Sequence, residues 1–176
     1  SHTQAPEELV LDIDASDIEV QVKNGEVEAP KRTINLQALK AEQRRAEAAR
    51  LQALKDKVDD VLASNPKLAA MKSQIRLDMT PDGLRIQIVD EQNRPMFASG
   101  SATVQPHMRD LLHEIGQVLT EVPNRLTLEG HTDAQAFIGG ERGYSNWELS
   151  SDRANASRRE LVTGGLSDDR VLRVQG

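Results

Sequence analysis

The chain predicts an α+β fold, a small mixed sheet with helices packed on one face and a long N-terminal helix beside it. Three observations carry this. Residues 34–63 contain neither Gly nor Pro and are rich in Ala, Leu, Gln, Glu, Lys and Arg, the strongest helix formers. Two segments further on, apolar residues alternate with polar ones around a turn. After these, helical and extended patterns follow one another in the order helix, strand, helix, strand, which places helices against a sheet rather than in a bundle. At 176 residues the chain accommodates one compact domain with an appendage.

Each element follows from its residues. Residues 1–30 carry eight acidic side chains and one Lys, with Pro6 and Pro30 and no aromatic residue, so residues 1–33 read as an acidic linker. Ser1-His2 at their head reads as a tag remnant. Within the linker Ile18, Val20 and Val22 alternate before Asn24-Gly25 and Val27, which allows an isolated hairpin. Residues 34–66 form the long helix. Leu51, Leu54, Val58, Val61 and Leu62 give its second half a buried stripe, whereas Ala occupies most apolar positions of the first half, which projects into solvent like a stalk. Ser64-Asn65-Pro66 ends it.

The globular part spans residues 67–176. Ile75, Leu77 and Met79 alternate up to Thr80-Pro81-Asp82-Gly83, and Leu84, Ile86 and Ile88 alternate after it, the pattern of a β-hairpin. Pro106 opens a helix whose Met108, Leu111, Leu112, Ile115, Val118 and Leu119 share a face, and Pro123 closes it. Leu126 and Leu128 mark a short strand ending at Gly130-His131-Thr132-Asp133. A loop leads to a helix from about Trp147 to Thr163, stopped by Gly164-Gly165, and Val171, Leu172 and Val174 form a last strand. Strands joined through helices are expected to run parallel, with right-handed crossovers.

Composition removes several function classes. The chain has 22 basic and 28 acidic residues, a formal charge of −6, and four aromatic residues, so it offers nucleic acid neither a basic surface nor stacking platforms. Cys is absent, which excludes disulfides, thiolate metal sites and cysteine nucleophiles. Among the four His residues, His2, His107, His113 and His131, no pair has the helical spacing of a zinc site, and no metal or other cofactor is expected. Ser99-Gly100-Ser101 lacks the nucleophile elbow, and Gly139-Gly140 is followed by no phosphate-loop Lys. No window is apolar enough to span a bilayer.

One constellation points to a ligand. Asp133 stands at the carboxyl end of a strand, and Ser150 and Arg153 stand in the first turns of the next helix. A carboxylate facing a guanidinium across that gap suits a zwitterion, Asp133 taking an ammonium and Arg153 a carboxylate. Spacing alone leaves an ordinary Asp–Arg ion pair as the alternative. Trp147 and Tyr144 near this gap read as core packing in preference to ligand contacts. Arg158 is expected to be solvated, and Arg158 and Arg159 together are placed to steer an anionic glycan.

Gly130-His131-Thr132-Asp133, Tyr144-Ser145-Asn146-Trp147-Glu148-Leu149-Ser150, Asp152-Arg153-Ala154 and Ala156-Ser157-Arg158-Arg159 resemble the peptidoglycan-binding domain shared by OmpA, Pal and MotB. The Asn-Trp-Glu-Leu-Ser variant, with Asn93-Arg94-Pro95-Met96-Phe97 upstream, is similar to the flagellar-stator branch of that family. The resemblance covers residues from about 50 to 176. It implies an OmpA-like β/α/β/α/β sandwich and a non-catalytic periplasmic anchor for the flagellar motor. Asp133 and Arg153 would hold the diaminopimelate of the stem peptide, with Thr132, Leu149 and Ser150 completing the site. It further implies a homodimer, a MotA-type partner subunit reached through an inner-membrane segment outside this sequence, and contact with the flagellar P-ring. A further helix and strand would complete the family's sheet after Gly176, so the domain reads as truncated there. The rival readings are a coiled-coil or helical adaptor of the envelope, and a generic OmpA- or Pal-type wall anchor.

Overall fold

A computed structural model describes residues 7–15, 36–91, 93–132 and 145–176. Its elements are β1 (Glu8–Asp14), α1 (Leu36–Ser64), the short α2 (Pro66–Ala69), β2 (Ile75–Thr80), β3 (Gly83–Val89), α3 (Pro106–Leu119), β4 (Leu126–His131), α4 (Asn146–Thr163) and β5 (Val171–Gln175). The five strands form one sheet in the order β2-β3-β1-β4-β5. β1 runs antiparallel to both β3 and β4, and β4 runs parallel to β5. The fold is α+β with a mixed sheet, as the element order predicts.

The central strand corrects the linker assignment. Residues 1–33 were expected to be a linker, yet Glu8–Asp14 pair along their whole length with β3 on one side, and Glu8–Ile13 pair with β4 on the other. Leu9, Leu11 and Ile13 are at most 1% exposed, so the middle of the sheet is a strand whose core-facing residues alternate with Glu8, Val10, Asp12 and Asp14. The hairpin expected over Ile18–Val27 lies outside the described residues. Strands joined through helices run parallel, as expected: β4 and β5, joined through α4, are parallel neighbours, and β3 and β4, joined through α3, point the same way with antiparallel β1 between them.

The core lies on one face of this sheet. Leu84, Ile86 and Ile88 of β3 and Leu126 and Leu128 of β4 join the apolar side of β1 beneath α1, α3 and α4. Asp12, Arg85, Thr127 and Glu129 line a cleft on the other side, where Arg85 donates to Asp12 at 2.7 and 3.2 Å. The apolar face predicted for α3 is buried throughout: Met108, Leu111, Leu112, Ile115, Val118 and Leu119.

α1 is a single helix of 29 residues, about 43 Å long at 1.5 Å per residue. Leu51, Leu54, Val58 and Leu62 are buried, with Val61 packed at the edge of the core. Its first half stands in solvent, Leu36 and Leu39 included, with Glu47 the buried exception. Asn124 Nδ2 donates to Glu47 Oε1 at 2.6 Å and to the carbonyl of Asp14 at 2.8 Å. This amide therefore ties the helix to the end of the central strand, and Arg50 lies 3.2 Å from Glu47 to balance the buried charge. No helix among the described residues is long and apolar enough to cross a membrane.

Candidate functional site

The candidate site forms where the end of β4 meets the first turns of α4. Ser145 caps the start of α4: its hydroxyl accepts from the Glu148 amide at 3.2 Å and lies 3.5 Å from the Glu148 carboxylate. Strand and helix then come into backbone contact. A Cβ placed on Gly130 would lie 2.4 Å from the carbonyl oxygen of Ser150, so only a residue without a side chain allows this approach.

That approach brings two halves of the motif together. Thr132 and Ser150, 18 residues apart, place their hydroxyl oxygens 3.1 Å from each other. Both hydroxyls reach the Asn146 carbonyl, Ser150 donating at 2.8 Å and Thr132 at 3.3 Å. An open cleft of about 250 Å³ begins here, lined by Glu8, His131, Thr132, Asn146, Trp147 and Ser150 together with Gly130 and Gly176. Leu149 is 0% exposed, so it fixes α4 to the body of the domain and presents nothing to a ligand. Asp133 and Tyr144 lie outside the described residues.

Arg153 lies one turn deeper and is only 4% exposed. Its Nε donates to the Ser101 carbonyl at 2.8 Å, one terminal nitrogen to Glu7 Oε2 at 2.9 Å, and the other to the Ala98 carbonyl at 3.4 Å. The guanidinium carbon sits 4.9 Å from the centre of the Phe97 ring, a cation–π contact. Sequence reasoning expected this side chain to face an open groove; instead a carboxylate of the same chain already occupies it. Asp90 completes the cluster. It accepts from the Met96 amide at 2.6 Å. Burial raises its pKa above the ordinary carboxylate value, with the Met96 hydrogen bond opposing, the Glu7 charge adding to the rise and the Arg153 charge opposing it.

The other expected residues divide. Trp147, expected in the core, is 68% exposed at the rim of the cleft. Arg158, expected to be solvated, is largely covered and paired with Asp168 at 2.7 Å and Asn155 at 2.9 Å; its charge is neutralised locally. Arg159 is exposed and lines a second cleft beside Ser101 and Thr103. Glu7, Asp90 and the Ala98 and Ser101 carbonyls were missed, because nothing near Arg153 in the chain announces partners 52 to 146 residues away.

The strand–helix junction carrying Thr132, Ser150 and Arg153 matches a known family. Residues 96–176 match the OmpA family. The chain is 54% identical over 142 residues to Motility protein B of Escherichia coli strain K12, an alignment covering 81% of this chain and 45% of that protein. The Motility protein B of Escherichia coli O157:H7 gives the same identity and coverage. The chain carries an OmpA-family domain and is a relative of Motility protein B. It spans somewhat under half the length of those relatives. The resemblance seen in the motif residues is thus supported along most of the chain.

Proposed function

We propose that this chain is the wall-anchoring part of a flagellar stator subunit, a non-catalytic periplasmic domain that binds peptidoglycan and holds the motor unit against load. The observation that supports this best is the convergence of Thr132 and Ser150 at 3.1 Å, Ser150 standing on the helix that carries Arg153 one turn further along. Diaminopimelate carries an ammonium and a carboxylate on one carbon. Asp133 is the proposed partner of the ammonium and Arg153 of the carboxylate, with Thr132 and Ser150 offering hydroxyls between them and Leu149 holding the helix in place. Because Glu7 now pairs with Arg153, the incoming carboxylate takes the place of the Glu7 carboxylate.

The same reading places the domain in the periplasm, with the full-length protein anchored in the inner membrane beside a MotA-type subunit, as a homodimer and in reach of the flagellar P-ring. Two linked sites hold the wall more firmly than one, since release of the first leaves the second near its ligand. The exposed first half of α1 fits a stalk that carries force to the wall-binding part.

Sedimentation with purified sacculi tests the reading. Asp133→Asn keeps the size of the side chain and removes its charge; the loss of a charge-assisted contact of about 1.5–3 kcal/mol predicts roughly 10- to 100-fold weaker retention, with an unchanged circular dichroism spectrum. Free meso-diaminopimelate is expected to compete with the wild type. Retention indifferent to both would end the proposal, and release of soluble muropeptides would replace the anchor with an enzyme.

A further inference from the structure

The partners of the Arg153 guanidinium are not equally fixed. The Ala98 and Ser101 carbonyls, like the Phe97 ring, belong to one short segment. That segment is tied to itself: the Ala98 amide donates to the Thr103 carbonyl and the Ser101 amide to the Ala98 carbonyl, each at 3.0 Å. These groups orient the guanidinium whatever else happens at the pocket. Glu7 comes from the other end of the chain. It precedes the first paired residue of β1, and its carbonyl accepts from the Asp90 amide at 2.8 Å. Its side chain is 19% exposed, so water reaches this partner of a guanidinium that is itself buried. The first core residue of the strand is Leu9, so Glu7 can swing away while the core stays closed.

Asp90 makes that departure easier. Held by the Met96 amide, it lies within electrostatic reach of both Glu7 and Arg153. Two carboxylates beside one guanidinium repel each other, which loosens the hold on Glu7. Once Glu7 has left, Asp90 still balances part of the buried positive charge.

We propose that Glu7 is an autoinhibitory contact: its carboxylate stands in for that of an external ligand, and the start of β1 has to move aside before Arg153 takes the ligand at full strength. This rests on the reading of Arg153 as the carboxylate-holding residue of a wall site and adds to it a control by the N-terminal strand. If Arg153 is free of Glu7 in about one molecule in ten, the apparent affinity is about tenfold below the intrinsic one. Whatever draws Glu7 off the sheet raises the affinity by up to that factor.

Two measurements on the full chain test the proposal, one of them without peptidoglycan. Glu7→Ala leaves the Arg153 pocket open to a free carboxylate. Acetate in place of chloride, at equal pH and ionic strength, is therefore expected to raise the melting temperature of Glu7→Ala, but not that of the wild type or of the double variant Glu7→Ala/Arg153→Met. Sacculi are expected to retain Glu7→Ala about tenfold more strongly than the wild type. Glu7→Gln, which keeps the length of the side chain and loses its charge, shifts the same way by less, and its retention decides the matter should Glu7→Ala not fold. An ion pair that serves stability alone gives neither gain. Absence of the acetate effect in folded Glu7→Ala, or variants retained at or below the level of a wild type that sacculi do retain, overturns the proposal. If sacculi retain none of these proteins while acetate still stabilises Glu7→Ala alone, the autoinhibitory contact stands for another carboxylate ligand and the wall reading falls.

Discussion

Replacing Gly130 by Ala tests the link between fold and site at its narrowest point. The added methyl would lie 2.4 Å from the Ser150 carbonyl oxygen, whereas ordinary contact begins at 3.4 Å, so β4 and α4 have to separate by about 1 Å. Neither backbone can yield freely. β4 is paired on both sides, with β1 and β5, and α4 is held by buried Leu149, Ala154 and Leu161. Forcing one methyl group into such packing costs about 1–3 kcal/mol. For a domain of this size each kcal/mol lowers the melting temperature by about 2–4 °C, so a fall of about 2–12 °C is expected. The same movement stretches the 3.1 Å Thr132–Ser150 contact beyond hydrogen-bonding distance. Calorimetric melting and sedimentation with sacculi read the two effects separately. Wild-type melting in Gly130→Ala would refute the claim that this contact sets the strand–helix spacing; lowered melting with undiminished wall binding would refute the claim that the spacing shapes the site.

Two further outcomes follow from the packing and the charges. Leu54→Ala removes a side chain that is 3% exposed and is expected to cost about 2–5 kcal/mol in urea unfolding, whereas Leu39→Ala, at 41% exposure, stays within about 0.5 kcal/mol; equal effects would mean that both halves of α1 are packed alike. Asp90 has a raised pKa when folded, so above the ordinary carboxylate pKa the folded state binds more protons than the unfolded one, and stability falls as pH rises through that window. Asn at this position still accepts from the Met96 amide and cannot ionise. Asp90→Asn is therefore expected to melt higher than the wild type at neutral pH, with the gap closing as pH drops, and a gap that ignores pH would show that burial of Asp90 does not govern its charge.

The elements with strong local periodicity were legible in the sequence. α3 and the β2–β3 hairpin show their buried residues at steps of three and four or of two, and the structure buries α3's apolar set and Leu84, Ile86 and Ile88. β1 carries the same signal in Leu9, Leu11 and Ile13, but the acidic composition of the first 30 residues outweighs three alternating positions. Its place between β3 and β4 had no local signal, since pairing partners are chosen by long-range contacts. The site divides in the same way. The convergence of Thr132 with Ser150 follows from a strand ending beside a helix start. The burial of Arg153 depends on Glu7 and on the Ala98 and Ser101 carbonyls, which no spacing within α4 encodes. Trp147 was misplaced because helical position alone does not reveal that the first turn of α4 overhangs the rim of an open cleft.

The pairing of Arg153 with Glu7 has a consequence for how such an anchor works. Removing one partner of a buried ion pair costs about 3–5 kcal/mol, because the remaining charge is left without compensation. An arginine kept empty for its ligand would impose that cost on every unbound molecule, whereas Glu7 at 2.9 Å, the Ser101 carbonyl at 2.8 Å and the Phe97 ring remove it. Under the proposed function, the ligand carboxylate then exchanges with Glu7, one ion pair replacing another, and this exchange contributes little net affinity. On that reading binding strength has to come from contacts with no internal counterpart, such as the proposed ammonium contact of Asp133. Arg153 then serves to reject ligands without a carboxylate, since displacing Glu7 with nothing to replace it restores the full cost of a bare buried charge.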